Sequence, residues 1–279
     1  MKPHWLAGLI SAVSLALCAQ AFAADRGITR EEDPWGRFEA GAWKIVQVTT
    51  ETITEGRTVS STTETRSTLQ RVDDQAVTLL VEVAVEMHGR RFNPQPQTIV
   101  QGFHGEPLGD AVQSEDLGVG EVSIQERTIA CRVQQVTTTE TSGRTVTKIF
   151  HSPEIAPYIL RRESVKFDAA GAVIGQTTME VVAIDVPCSV LGEVLRTAQI
   201  RSVQRNAAGT TIRTAVLSMD VPGGVVCQTV EELDTNQQRV RRSRLQLIDY
   251  GKAAEDRPDG LFKRRSGRLF GPHLLPLRQ

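Results

Sequence analysis

Between Ala76 and His88 apolar and polar positions alternate: Val77, Leu79, Val81, Val83, Val85 and Met87 share one parity, and Thr78, Glu82 and Glu86 fall on the other. A period of two is that of a strand with one buried face. The valine face is therefore expected in the core and the acidic face in water. Comparable β-branched runs cover 43–54, 57–72, 97–103, 121–125, 128–139, 144–151, 158–167, 172–184, 187–205, 210–217, 225–233 and 238–250. Turn residues separate them, as at Glu55-Gly56, Asp73-Asp74, Ser142-Gly143 and Asn206 to Gly209. Strands at such short intervals predict antiparallel hairpins, not parallel βαβ units. Gly105 to Gly120, with four glycines and four acids, reads as a loop or domain joint.

One stretch is written twice. Gly143 and Gly209, Ser152 and Ser218, and Asp168 and Asp234 each lie 66 positions apart. After each serine come an acid, a β-branched residue and a proline: Glu154, Ile155 and Pro157, then Asp220, Val221 and Pro222. Proline cannot donate to a sheet ladder, so each step interrupts a strand and bends the chain before it re-enters. Gly56-Arg57-Thr58-Val59 echoes Gly143-Arg144-Thr145-Val146 and suggests a worn third copy. The fold class expected is mainly β, an antiparallel curved sheet or half-barrel built from repeated hairpin units. Its divisions are a degenerate hairpin unit at 42–120, a first repeat at 121–185 and a second at 186–250.

The flanks change the picture. Lys2, the apolar run Leu6 to Leu17 and Ala21-Phe22-Ala23 read as a signal peptide over 1–23, cleaved before Ala24. The run is shorter than the about 20 residues a membrane span needs, so the mature chain is expected to be exported, periplasmic or extracellular, and not transmembrane. Residues 24–41 read as a flexible lead-in and 251–279 as a disordered basic tail. The whole chain carries a net charge of −1, yet Leu261 to Gln279 holds five cations and no acid. The body is thus mildly acidic, which argues against nucleic acid as a partner.

Three cysteines remain after cleavage, so an oxidising compartment allows one bridge and one leftover thiol. Cys131 in Ile129-x-Cys131-x-Val133 and Cys188 in Val186-x-Cys188-x-Val190 look equivalent and form the disulfide candidate. The alternative is three buried thiols.

Catalytic and metal patterns are missing. No Gly-x-Ser-x-Gly, His-Glu-x-x-His, phosphate loop or metal-spaced cysteine pair occurs, and His88, His104, His151 and His273 are scattered. No catalytic, cofactor or metal residue is nominated, and the chain is read as non-enzymatic. The cations that remain are Arg239, Arg241, Arg242 and Arg244 on the last strand, and Lys263, Arg264 and Arg265 in the tail. On an outer strand such charges guard the edge. As anion contacts, Arg242, Arg244, Lys263, Arg264 and Arg265 would face an anionic lipid, a cell-wall polymer or an envelope protein.

The Ile/Val-x-Cys-x-Val strand, the Gly-Arg-Thr-Val or Gly-Thr-Thr-Ile hairpin and the Ser-x-Asp/Glu-Val/Ile-Pro step over 41–250 resemble a family of uncharacterised exported bacterial proteins. That resemblance implies export and a β-repeat fold, and no residue roles. The run of hairpins is more distantly similar to periplasmic lipoprotein-carrier half-barrels, which hold acyl chains on a concave face. The functional expectation is a binding or structural module of the cell envelope. The alternatives are a carrier for a lipid-like ligand and a hydrolase with an unrecognised site.

Overall fold

The computed structural model describes residues 28–54, 56–74, 76–87, 89–103, 111–254 and 261. Its strands are β1 Trp43–Thr54, β2 Arg57–Val72, β3 Ala76–Met87, β4 Arg90–Phe92, β5 Gln97–Gly102, β6 Ala111–Ile124, β7 Arg127–Glu140, β8 Gly143–His151, β9 Ile159–Asp168, β10 Val173–Val190, β11 Glu193–Asn206, β12 Gly209–Leu217, β13 Val225–Leu233 and β14 Arg239–Gly251. They form one open antiparallel sheet in the order β4-β3-β2-β1-β14-β13-β12-β11-β10-β9-β8-β7-β6, with β5 also paired to β3.

The sheet is strongly curved, and connectivity alone requires it. Twelve pairing steps separate β5 from β6, about 58 Å in a flat sheet at ~4.8 Å per strand. The chain from Gly102 to Ala111 can span at most about 30 Å. Packing agrees: Val122 and Ile124 of β6 share a cluster with Val181 and Ile184 of β10, four strands away. At the turn after β6, Gln125 Oε1 accepts a hydrogen bond from the Ile184 amide at 3.3 Å.

Equivalent bonds recur at the 66-residue spacing. The amide of Ser152 donates to Tyr158 O and that of Ser218 to Gly224 O; Tyr158 N reaches Ile155 O, and Gly224 N reaches Val221 O. The hairpin turns obey the same offset, with positive φ at Gln125 and Glu126 and again at Leu191 and Gly192. Two clusters follow suit. Val122, Ile124, Ile129, Leu160 and Val181 pack together at one hairpin tip. At the other, Cys188, Val190, Leu195, Val226 and Leu247 do so.

This register corrects several expectations. The second hairpin turns at Leu191-Gly192, and the division at 185/186 falls inside β10. Asp185 sits where the β10–β11 ladder shifts register between Ala183 and Val186, so a bulge absorbs it, and Pro187 just beyond pairs in register with Arg196. The offset aligns Cys131 with Thr197 and Cys188 with Val122, so the two cysteines are not equivalent. They lie in separate clusters, and all three cysteines are unbridged. Residues 111–120, expected in a loop, belong to β6, while 105–110 lie outside the described residues. The last strand, β14, is no edge: it pairs β1 on one side and β13 on the other.

Nor is the acidic face of β3 simply wet. Arg66 Nε and Nη2 donate to Glu82 Oε2 and Oε1 at 2.7 and 2.8 Å. Arg66 lies opposite Ile45 on β1, on a face where Trp43, Ile45, Ala84 and Leu261 are buried. The signal-peptide residues 1–23, and 262–279 of the tail with Lys263, Arg264 and Arg265, lie outside the described residues.

Candidate functional site

The described part of the lead-in, 28–41, is packed and not loose. Ile28, Trp35 and Phe38 are buried with Ala42, Leu69, Val77, Leu79 and Phe103. Asp33 organises this segment, because its Oδ1 accepts the amides of Trp35 and Gly36 at 2.8 and 2.6 Å. Pro34 O accepts the Gly223 amide at 2.9 Å, which docks the segment on the second strand interruption. At the first interruption Glu32 Oε2 stands 3.2 Å from His151 Nε2. Ile159, just beyond, packs on the Trp35 cluster. One short segment thus ties the first strands to both interruptions. Its period is neither 2 nor 3.6, so no periodic signal announced it. The signal that could have done so is three large apolar residues among polar turn formers.

Lys44 lies at the centre of this contact. Its ammonium sits 5.3 Å from the Trp35 ring centroid and donates to Gly223 O at 3.1 Å. Desolvation lowers its pKa from 10.5 to about 8. Between these values the unfolded chain holds the extra proton, so stability rises with pH across that window. Below pH 8 the charged form costs at most about 3 kcal/mol, at ~1.4 kcal/mol per unit. Urea midpoints measured at pH 7 and pH 10 are expected to show this gain in wild type and not in Lys44→Met.

The open feature lies at the first interruption. A depression of about 380 Å³ is lined by Val119 of β6, by Arg127 to Arg132 of β7 and by Ser152 to Ile155. Ile129, 7% exposed, and Cys131, 3% exposed, give it an apolar floor. Arg127, Arg132 and Glu154 are exposed at its rim. Burial pushes the Cys131 thiol pKa up, which leaves it an inert packing group.

The second copy differs at the same place. Val221 is fully buried where Ile155 is only partly buried, since Pro34 and Trp35 abut Gly223 and Gly224. Its charges differ too. Glu193 and Asp220 replace Arg127 and Glu154, and after desolvation these acids help to hold the Tyr250 pKa up. One unit therefore offers an open, cation-rimmed hollow, and the other a covered, acidic one.

Beside the hollow runs β6, which pairs only with β7 among the described strands. Residues 112–119 are exposed throughout, Val112 and Leu117 are about two-fifths exposed, and Val119 is 81% exposed. The strand carries no lysine and no proline, and a register shift between Asp116 and Val119 is its one irregularity. A long edge of this kind offers unpaired amides and carbonyls to another chain. Its glycines resemble loop punctuation, which hides the strand in the sequence.

The nominated arginines lie elsewhere. Arg242 Nε stands 3.5 Å from Glu231 Oε1, Arg241 pairs Glu232 at 3.3 Å, and Arg239 lies 3.8 Å from Glu231. Arg244 is exposed between Thr49 and Thr229 of the flanking strands. They form a mid-sheet ladder of opposite charges and do not approach the hollow. Among the described residues no group of three His, Cys, Asp or Glu converges as a metal site. No helix there is long and apolar enough to cross a membrane.

No protein-family model and no curated protein matches the chain. Solved structures similar to it include a candidate outer membrane lipoprotein-sorting protein domain from Vibrio parahaemolyticus. The two align at 9% identity and TM-score 0.33, over 77% of this chain and 87% of that one. A DUF1329 family protein from Desulfovibrio piger aligns at 10% identity and TM-score 0.31, over 76% and 85%. A candidate exported protein with a YmcC-like fold from Bacteroides fragilis aligns at 5% identity and TM-score 0.29, over 76% and 97%. Scores this low carry no ligand or activity to this chain.

Proposed function

We propose that the protein is a non-enzymatic, exported binding module of the cell envelope. It takes an extended polypeptide as an added strand on β6, with an apolar side chain of that partner entering the adjacent hollow. The observation that carries this is the juxtaposition of a long, exposed edge strand, free of lysine and proline though it bears Glu115, Asp116 and Glu121, with an apolar-floored depression opening beside Val119. In strand addition the backbone bonds supply affinity and the alternate side-chain pockets supply specificity. Arg127 and Arg132 at the rim favour an acid flanking the anchoring side chain.

The lipid-carrier alternative has less room, because the lead-in occupies the sheet face over Leu69 and Leu79. The hydrolase alternative has an acid–histidine pair in Glu32 and His151, 12% and 9% exposed in their side chains. That pair joins the lead-in to β8 with both side chains largely buried, and Ser152, at the edge of the hollow, is itself only 3% exposed, which favours a structural contact over a reacting group.

Selection of a displayed decapeptide library on the purified protein tests the proposal. Enriched peptides should alternate apolar and polar residues and protect the amides of 112–119 from hydrogen exchange. Val119→Lys places a guarding charge at an exposed position and should weaken binding about tenfold or more. Peptides that bind without protecting β6, or that tolerate the lysine, would overturn strand addition.

A further inference from the structure

The apolar stripe of β3 does not stay in the core. Leu79 is 6% exposed and packs in the cluster of Leu69 and Trp35. Val81, Val83 and Val85 are partly buried, and Met87, which ends the strand, is 40% exposed. Directly opposed residues of an antiparallel pair share a face, so the register shows what joins Met87 there. Arg90 stands opposite Met87, and Phe92 opposite Val85. On the other side Met87 faces Ser61 of β2, which puts Val59 and Arg57 on the same face. Phe92 is 51% and Val59 39% exposed, and both arginines are exposed. The nearby acids Glu51 and Glu86 stand opposite Ser60 and Thr62, on the other face. Two neighbouring hairpin ends thus present Val59, Met87 and Phe92 between Arg57 and Arg90. Among the described residues no acid shares that face of β1 to β4.

The C-terminal stretch is delivered to the same corner. Leu261 is buried against Trp43, Ile45 and Ala84, and its carbonyl accepts a hydrogen bond from Arg91 Nη2 at 2.6 Å. Arg91 is the chain neighbour of both Arg90 and Phe92. Residues 262–279, which follow, hold five cations, six large apolar residues and no acid. We propose that this corner, together with residues 262–279, is the protein's contact with an anionic lipid bilayer. Val59, Met87 and Phe92 enter the headgroup layer, Arg57 and Arg90 meet lipid phosphates, and the cations of 262–279 add long-range attraction. A polyanion in solution would use the arginines and gain nothing from the apolar side chains between them, whereas a bilayer surface uses both. With so few apolar side chains inserted, the contact is weak and reversible. It shares no residue with β6 or the hollow, so it does not depend on the proposed function.

The test is sedimentation of residues 24–279 with vesicles of phosphatidylcholine alone, and of phosphatidylcholine mixed with phosphatidylglycerol. Binding is expected to the mixed vesicles only, and removal of residues 262–279 should lower it about tenfold. Phe92→Ser should lower it about fivefold with that stretch in place; the side chain is exposed, so an unchanged Tm is expected beside the loss. Phe92→Trp reports the site directly, and its emission should shift to the blue when mixed vesicles are added, beyond any shift of wild type. Val119→Lys should bind vesicles as wild type does. Equal binding to both kinds of vesicle, Phe92→Ser binding as wild type does, or no added shift for Phe92→Trp would each overturn the proposal. So would dextran sulfate held as tightly as the mixed vesicles, with Phe92→Ser making no difference to either, since the corner would then serve a soluble polyanion.

Discussion

Trp35→Ala is expected to lower the Tm of the protein by about 10 °C and to raise its binding of hydrophobic dyes. Trp35 is 8% exposed, and its loss removes a large side chain from between two otherwise separate parts of the sheet. Truncating a buried tryptophan costs about 3–5 kcal/mol, and in a chain of this size each kcal/mol shifts Tm by about 2–4 °C. The cation–π contact with Lys44 and the packing of Phe38 and Ile28 loosen with it. Phe92→Ala is the control, since Phe92 is 51% exposed and should change stability by less than about 0.5 kcal/mol. Calorimetry of both variants decides the matter. Equal Tm values for Trp35→Ala and wild type would mean that the lead-in is attached as weakly as its sequence suggests.

Gly209→Ala should be at least as damaging. The residue has φ of +139°, and a Cβ built there would stand 2.0 Å from Leu233 O. Backbone must move to relieve such a contact, and no side-chain rotation helps. Gly143, its counterpart 66 positions earlier, has φ of +149° and would meet Phe167 O at 2.1 Å. Each alanine should cost about 3 kcal/mol or more, combining positive-φ strain with a displaced strand pair. Gly56 also has positive φ but meets nothing within 4 Å, so Gly56→Ala should cost only about 1 kcal/mol. Denaturant midpoints for the three variants check the order. A Gly56→Ala loss as large as the other two would show that strain, not crowding, dominates.

Local order was legible from residues, and long-range order was not. β1, β2 and β13 follow directly from β-branched runs between turn residues, because hairpin pairing is decided by chemistry a few positions away. The 66-residue spacing carried the paired interruptions. What escaped depends on partners far along the chain. The sequence pattern points to a break at 185/186 and not to the Leu191-Gly192 turn, since a bulge and a turn use the same residue types. The apparent match of Cys131 and Cys188 came from local strand pattern, although their separation of 57 contradicts the repeat. Glu82 looked solvent-facing because nothing near it in sequence announces Arg66. The hollow was invisible for the same reason: Val119, Ile129 and Ile155 meet only once β6, β7 and the first interruption are folded together.

The pairing of β1 with β14 bears on how the chain is made. Trp43 stands opposite Gly251 and Thr52 opposite Arg241, so the first of the described strands waits for the last of them to be synthesised. Contacts of such sequence separation close slowly. Until β14 arrives, β1 and β13 each present an open ladder to any neighbouring nascent chain. A message truncated before codon 239 would yield a product prone to aggregate, whatever the soundness of its hairpins.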